Sequence, residues 1–297
     1  MFEISVITAT YNRRDLLSEA YAHMLGMPLK EQVEWIIIDD GSTDQTQQVV
    51  EEWIKAGQLR IVYHLQANRG RAAALNAGLE RASKPICFYL DSDDYLEQGA
   101  FQDIIEQYQT NDIMQNRSIA GMVFLASTKA GELIGQAFPQ TQMVSKPALM
   151  LHHFKVRGDK LHTFKTEVLK AYPFPLFEKE KRVATSLVLN RISLKYDFMY
   201  VNVKALRKDY TADGLSKNID RVRAKSSNAS RTFYFEAVDV PFMPVKARIK
   251  YMINFVRYQL HSRSAFPSFK RGTNYLLYFL LLLPGLALYT RDVKKQQ

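Results

Sequence analysis

WIIIDDGSTDQT, residues 35–46, runs an apolar stretch straight into an acidic turn. Trp35, Ile36, Ile37 and Ile38 are aromatic or β-branched with no polar alternation. That is the composition of a strand buried on both faces. Gly41, Ser42, Thr43 and Asp44 supply turn chemistry and then a helix N-cap. Val49, Val50, Trp53 and Ile54 give the following helix an apolar face. The same order of strand, loop and helix recurs on either side. Ile4 to Ile7 is a short apolar run entering the loop Thr8-Ala9-Thr10-Tyr11-Asn12. Residues 13–25 carry Leu16, Leu17, Ala20 and Met24 at helical spacing, and Pro28 marks the end. Leu59 to Tyr63 reads as a third strand. NRGRAAALNAGLERA (68–82) reads as a loop and an alanine-rich helix. Ile86 to Leu90 is a fourth strand, and it delivers Asp91, Asp93 and Asp94.

Strands alternating with helices of crossover length predict an α/β fold: a mostly parallel, Rossmann-like sheet with helices on both faces. Ligands of such sheets bind beyond the carboxyl ends of the strands. Tyr11, Asp39, Asp40, Arg71 and the 91–94 cluster all follow a strand and are expected to converge there. Later in the chain, Phe101 to Tyr108 and Val183 to Ile192 read as helices, and Gly121 to Ser127 and residues 196–203 (YDFMYVNV) as strands.

The chain has 297 residues, 47% of them hydrophobic, enough for a large core. The single cysteine, Cys87, excludes an internal disulfide framework and fits a reducing compartment. The N-terminus carries no basic region followed by a long apolar stretch, so the bulk is expected to be cytoplasmic. The net charge of +10 is C-terminal in origin: residues 195–297 hold 19 Lys/Arg against 7 Asp/Glu, and no acidic residue occurs from Pro241 to Arg291. Between those charges, Val245, Ile249, Met252, Ile253, Val256 and Leu260 recur at helical spacing beside Lys246, Lys250 and Arg257. This is an amphipathic helix suited to an anionic bilayer. YLLYFLLLLPGLALY, residues 275–289, is short for a membrane span and too apolar for water. It reads as an interfacial or re-entrant segment, the alternative being a helical hairpin packed on protein. The charges are interleaved with aliphatic runs rather than stacking residues, which argues against nucleic acid. The division expected is a catalytic domain over 1–218 and a basic helical membrane-association region over 219–297.

Three carboxylates in four positions repel one another unless a cation sits among them. Hard oxygen ligands suit Mg2+ or Mn2+, shared with substrate phosphates. The alternative is that the aspartates cap a helix. The chain also resembles the family 2 glycosyltransferases of GT-A fold that build bacterial surface polysaccharides. ISVITATYNR, WIIIDDGSTDQT, NRGRAAALNAGL and FYLDSDDYL match that pattern in order across residues 3–96. Weaker likeness continues through YPFP, EKRVATSLVLNRI and DGLSKN to about residue 218. The resemblance implies roles. Tyr11 and the Thr8–Ala9 backbone would line a uracil pocket, Asp40 would bond the base, and Arg71 would reach base or diphosphate. Asp91, with Ser92, would meet ribose or donor sugar, and Asp93, with Asp94, would hold the metal.

Members of this family that invert use a carboxylate base, usually in a stretch like GEKFVPESLVWNR. Here Thr185 occupies that position. Glu178, Glu180 and Asp159 are the nearby carboxylates, with Glu180 the first candidate for the catalytic base. The reading is an inverting glycosyltransferase moving sugar from a UDP-sugar donor to a lipid-linked or oligosaccharide acceptor at the cytoplasmic face of the cell membrane, with oligomerisation left open. The alternative is a non-catalytic sugar-nucleotide or glycan-binding partner of the same fold. A nucleotidyltransferase would need a glycine-rich loop that ITATYNRR lacks.

Overall fold

The computed structural model describes residues 2–208 and 219–295. The chain divides into two compact units that interleave along the sequence. Among the described residues one gathers 2–146, 156–173 and 195–208, and the other 147–155, 174–194 and 219–295. The boundary expected at residue 218, and DGLSKN with it, lies outside the described residues. The second unit also takes in 147–155 and 174–194, which a single cut there would assign to the first.

In the first unit the apolar runs form β1 (Ile4–Thr10), β2 (Val33–Asp39), β3 (Arg60–Leu65) and β4 (Ile86–Tyr89). All three pairs among them are parallel. The crossovers are α1 (Arg14–Leu25), α2 (Thr46–Ala56) and α3 (Arg71–Arg81). The strands then continue as β5 (Asp94–Leu96), β6 (Ile119–Thr128), β7 (Gln142–Ser145), β8 (Lys160–Lys165) and β9 (Asp197–Lys208), with α4 (Ala100–Thr110) between β5 and β6. The order is β3-β2-β1-β4-β8-β6-β9-β5, with β7 paired to β9.

Helices cover both faces of the parallel part. Leu17 and Met24 of α1 join Ile4, Val6, Trp35 and Val50 in the main core. Tyr21 of α1 stacks on Trp53 of α2, ring centroids 4.2 Å apart. On the other face α3 comes so close that a Cβ on Gly78 would lie 2.4 Å from Ile7 Cγ2. Ile7 is fully buried and has nowhere to move. Gly78→Val is therefore expected to destabilise the protein by about 1–3 kcal/mol, as overpacking does, read as a lowered urea midpoint.

The parallel arrangement expected holds for β1 to β4 and again for β6 with β9, with antiparallel strands added between and beside them. β8 runs antiparallel to both neighbours, β4 and β6, and β5 and β7 run antiparallel to β9, so the sheet as a whole is mixed.

The second unit is helical: α5 (Pro147–His152), α7 (Thr185–Ser193), α8 (Ile219–Lys225), α9 (Ser227–Asp239), α10 (Val245–Ser262), α11 (Gly272–Leu280) and α12 (Leu282–Lys294). The short α6 (Thr166–Lys170) belongs to the first unit. Arg191 donates to both Glu236 oxygens at 2.8 and 2.7 Å, tying α7 to α9. Arg257 does the same to Asp292 at 2.5 and 2.6 Å, tying α10 to α12. Among the described residues no single helix is long and apolar enough to cross a membrane. The pair α11 and α12, bent by 55° at its break, is long and apolar enough together.

Candidate active site

The strand order places β1 between β2 and β4, where the direction of winding reverses. Sheets of this kind open their ligand crevice at that point. The register shows why. Pairing of β1 with β2 continues to Thr10 opposite Asp39, whereas pairing with β4 stops at Ile7 opposite Tyr89. Past Ile7 the two chains part, and residues 8–13 and 90–94 flank the gap.

The loops around this gap are braced by side chains read from the sequence as turn formers. The Asn12 backbone, in the left-handed region at φ 50°, donates its N–H to Ser42 Oγ at 2.8 Å. Asn12 Oδ1 accepts from the Thr43 amide at 2.7 Å, and the Arg14 amide donates to Asp44 at 2.9 Å. Asp39, fully buried, accepts from the Ser42 amide at 2.7 Å and from the Tyr63 hydroxyl at 2.9 Å. Asp40 is also buried and accepts from Gln66 Nε2, the Arg69 amide and the Gly70 amide at 2.8, 2.8 and 2.7 Å. Gly70 sits at φ 89°, which favours glycine, and leads into α3. Asp40 therefore secures the 66–70 loop. Its three donors take up three of the about four acceptor sites on its two oxygens.

Securing that loop sets the start of α3, and with it Arg71. Arg71 donates to Asp91 Oδ1 from Nε at 3.0 Å and from a terminal nitrogen at 2.6 Å. Burial pushes the Asp91 carboxyl up, but the Arg71 charge and hydrogen bonds outweigh it, and the group lies below the usual carboxylate range. Arg13 meets Asp93 Oδ2 at 3.0 Å and Ser92 Oγ at 3.3 Å. Lys208 meets Asp94 Oδ2 at 3.0 Å and Asp159 Oδ2 at 3.4 Å. Asp94 is pushed up to about 6 by burial, with Asp91 and Asp93 adding to the rise and Lys208 opposing it. The crowded carboxylates thus meet three protein cations, one each. Sequence reading picked out only Arg71 of these. Arg13 follows the first loop directly and was legible. Lys208 was not: it arrives because β9 pairs with β5 so that Asp94 and Lys208 are opposite one another.

Tyr11, in the loop that follows β1, is 48% exposed, as a stacking platform requires. Thr8 is buried and its hydroxyl accepts from Trp35 Nε1 at 2.9 Å, so its side chain is already engaged. Ser92 is buried against Arg13.

The family model of glycosyl transferase family 2 matches residues 5–156. The chain belongs to this family. Poly-beta-1,6-N-acetyl-D-glucosamine synthase of Staphylococcus epidermidis is 34% identical over 108 residues, which is 36% of this chain and 26% of the synthase. The chain thus matches about a quarter of that relative's length. Two solved structures share the GT-A fold over nearly the whole chain. S. aureus TarS 1–349 in complex with UDP has a TM-score of 0.64 at 16% identity, covering 99% of this chain and 92% of that one. The mannosyltransferase PcManGT from Pyrobaculum calidifontis, in complex with GDP-Man and Mn2+, has a TM-score of 0.57 at 14% identity, covering 98% and 88%.

Two site expectations are corrected by the geometry of this family 2 chain. Asp94 is turned into its pair with Lys208 and is 7% exposed, so it is not placed as a metal ligand. Among the described residues no group of three His, Cys, Asp or Glu is set to hold a metal. Asp93 fits one differently. Its side chain is 49% exposed and meets Arg13 through one oxygen only. One carboxylate plus phosphate oxygens and water is the habit of Mg2+ and Mn2+.

Glu180 is the second correction. In the helical unit its Oε1 accepts from the Asn228 amide at 2.8 Å and Asn228 Nδ2 at 2.9 Å, and its Oε2 from the Ala229 amide at 2.8 Å. It caps the N-terminus of α9, where a carboxylate belongs electrostatically, and both oxygens are engaged. Thr185 is the first residue of α7. Glu178 is almost fully exposed beside Lys179. Of the carboxylates weighed as the base, Asp159 shares Lys208 with Asp94 of the acidic turn.

Proposed function

We propose that the protein transfers a sugar from a nucleotide donor, UDP-linked, to a glycan acceptor in surface polysaccharide assembly, with inversion. The observation that carries this is the loop cluster at the β1/β4 reversal, where Tyr11 is exposed and Arg13 and Arg71 meet Asp93 and Asp91. An aromatic face suits a base, guanidiniums suit a diphosphate, and a half-exposed carboxylate suits a divalent ion shared with that diphosphate. When bound there, Mn2+ or Mg2+ on Asp93 would supply charge neutralisation for the leaving diphosphate. Arg71 and Arg13 would add fixed positive charge beside it.

Asp159 is the carboxylate best supported as the acceptor's proton acceptor, with Lys208 setting its position. Asp159→Asn is then expected to lower transfer by about 100- to 10,000-fold, the usual range for losing a general base, while UDP affinity stays unchanged. Full transfer by this variant would remove Asp159 from the mechanism. UDP release from a panel of UDP-sugars, with Mn2+ and a lipid-linked acceptor, tests the reading as a whole. UDP binding without release for any acceptor favours the rival, a non-catalytic sugar-nucleotide binder, and the threonine at position 185 is what keeps that rival in play.

The acceptor and the location are proposed together. The pair α11–α12 is inverted relative to a helix on a soluble protein. Asn274, Tyr278, Gly285 and Asp292 are its buried residues, while Leu276, Phe279, Leu280, Leu283 and Leu286 face outward. Lys270, Arg271, Arg291, Lys294 and Lys295 stand at its ends. That arrangement supports insertion into one leaflet of an anionic membrane at its cytoplasmic face. Holding enzyme and lipid-linked acceptor on one surface raises their effective concentration.

A further inference from the structure

In the helical unit a cavity of about 70 Å3 is lined by Arg182, Ala184 and Ser186 ahead of and at the start of α7, by Arg223 and Ser226 around the end of α8, and by Ser230, Phe233 and Tyr234 of α9. A water occupies about 10–15 Å3 on this measure, so the space holds several waters or one phosphate-sized group. The lining has two guanidiniums, three serine hydroxyls and no carboxylate. Among the described residues Arg223 makes no ion pair.

The second observation is Ser226. It occupies the N-cap position of α9, where a serine ordinarily bonds the first turn, and it makes no such bond. The reason is Glu180, which already holds the Asn228 and Ala229 amides. The end of α9 is thereby satisfied, and Ser226 is 6% exposed with its residue lining the cavity. A serine 6% exposed and without its usual cap bond, on one lining with two guanidiniums, suits an acceptor-rich group. Phe233 and Tyr234 give the same cavity an apolar wall of the kind that packs on a sugar ring.

We propose that this cavity binds an anionic group, phosphate or carboxylate, attached to a sugar, through Arg223, Arg182 and the Ser226 hydroxyl. The charge preference rests on the cavity alone. Naming a glycan as the carrier rests on the transfer reading above.

The experiment is ligand-observed NMR on the full chain with methyl phosphate, methyl glucuronide and neutral methyl glucoside, alongside a separate UDP titration. The two anions are expected to bind, and the glucoside to bind at least about tenfold more weakly. A tighter phosphate identifies a phosphate-bearing glycan, and a tighter glucuronide an acidic sugar. Arg223→Ala should weaken the anions about tenfold and leave UDP affinity unchanged. Ser226→Ala should weaken them less, and it checks the site independently should Arg223→Ala fail to fold. Anion binding equal to wild type in both variants, or a glucoside bound as tightly as the anions, overturns the site. Anion binding without UDP binding would overturn the donor reading and leave this one standing.

Discussion

Asp93→Ala is expected to remove the metal dependence of UDP binding and to lower sugar transfer by at least about 100-fold, the order seen when a preorganised charge at a developing oxyanion is lost. Neighbouring positions separate this from simple electrostatics. Each carboxylate of the turn already has a protein cation, so deleting any of them frees a positive charge: Arg71, Arg13 or Lys208. If the turn acted only by net charge, all three deletions would strengthen binding of the diphosphate anion. If Asp93 carries the ion, its loss alone abolishes the gain in affinity that Mn2+ brings, while Asp94→Ala acts mainly through the lost pair with the half-buried Lys208 ammonium. Calorimetric titration of UDP with and without Mn2+ checks this. An Asp93→Ala protein whose UDP affinity still rises on adding Mn2+ would defeat the assignment.

The contrast between Asp93 and Asp94 marks where sequence reading stops. DSDD states that carboxylates are crowded but not which way each side chain turns. The direction is set by β9, more than 100 residues further on, whose Lys208 arrives opposite Asp94. The parallel core was legible because its strands are uninterrupted apolar runs. β8 was not, because KLHTFK carries two lysines, a histidine and a threonine in six residues. These are reconciled with burial by specific partners. Thr163 shares a hydrogen bond with the Tyr108 hydroxyl at 3.0 Å, and Lys165 donates to the Asn116 carbonyl at 2.7 Å. Hydropathy reads such a segment as surface, so the antiparallel insertion went unseen. Glu180 failed for the same reason as Asp94: its role is set by a helix that starts 47 residues later. Arg71 meets the acidic turn because a short loop fixes it at the start of its own helix.

The outward apolar row of α11 and α12 leads to the other large effect. Leu280 and Leu283 are 67% and 77% exposed on either side of the bend. Each leucine transferred from water into an acyl layer is worth about 1.5–3 kcal/mol. An aspartate in its place adds a penalty of a further few kcal/mol if it must enter, about 2.5–3.5 at the centre of a membrane helix and less at an interface. The double variant Leu280→Asp/Leu283→Asp is therefore expected to lose at least about 100-fold in partition to vesicles containing anionic lipid, since each 1.4 kcal/mol is tenfold. Its fold should persist, because the residues holding α12 to α10 are on the opposite side: Arg257 and Asp292 remain paired. Salt separates the two contributions. Raising ionic strength weakens the part due to Lys270, Arg271, Arg291, Lys294 and Lys295, and leaves the leucine part largely intact. Vesicle flotation at low and high salt, with light scattering of the lipid-free protein, distinguishes a bilayer from a second copy of the chain as what covers this face. A double variant that floats with vesicles as wild type does, but changes from dimer to monomer in solution, would assign the leucines to self-association instead.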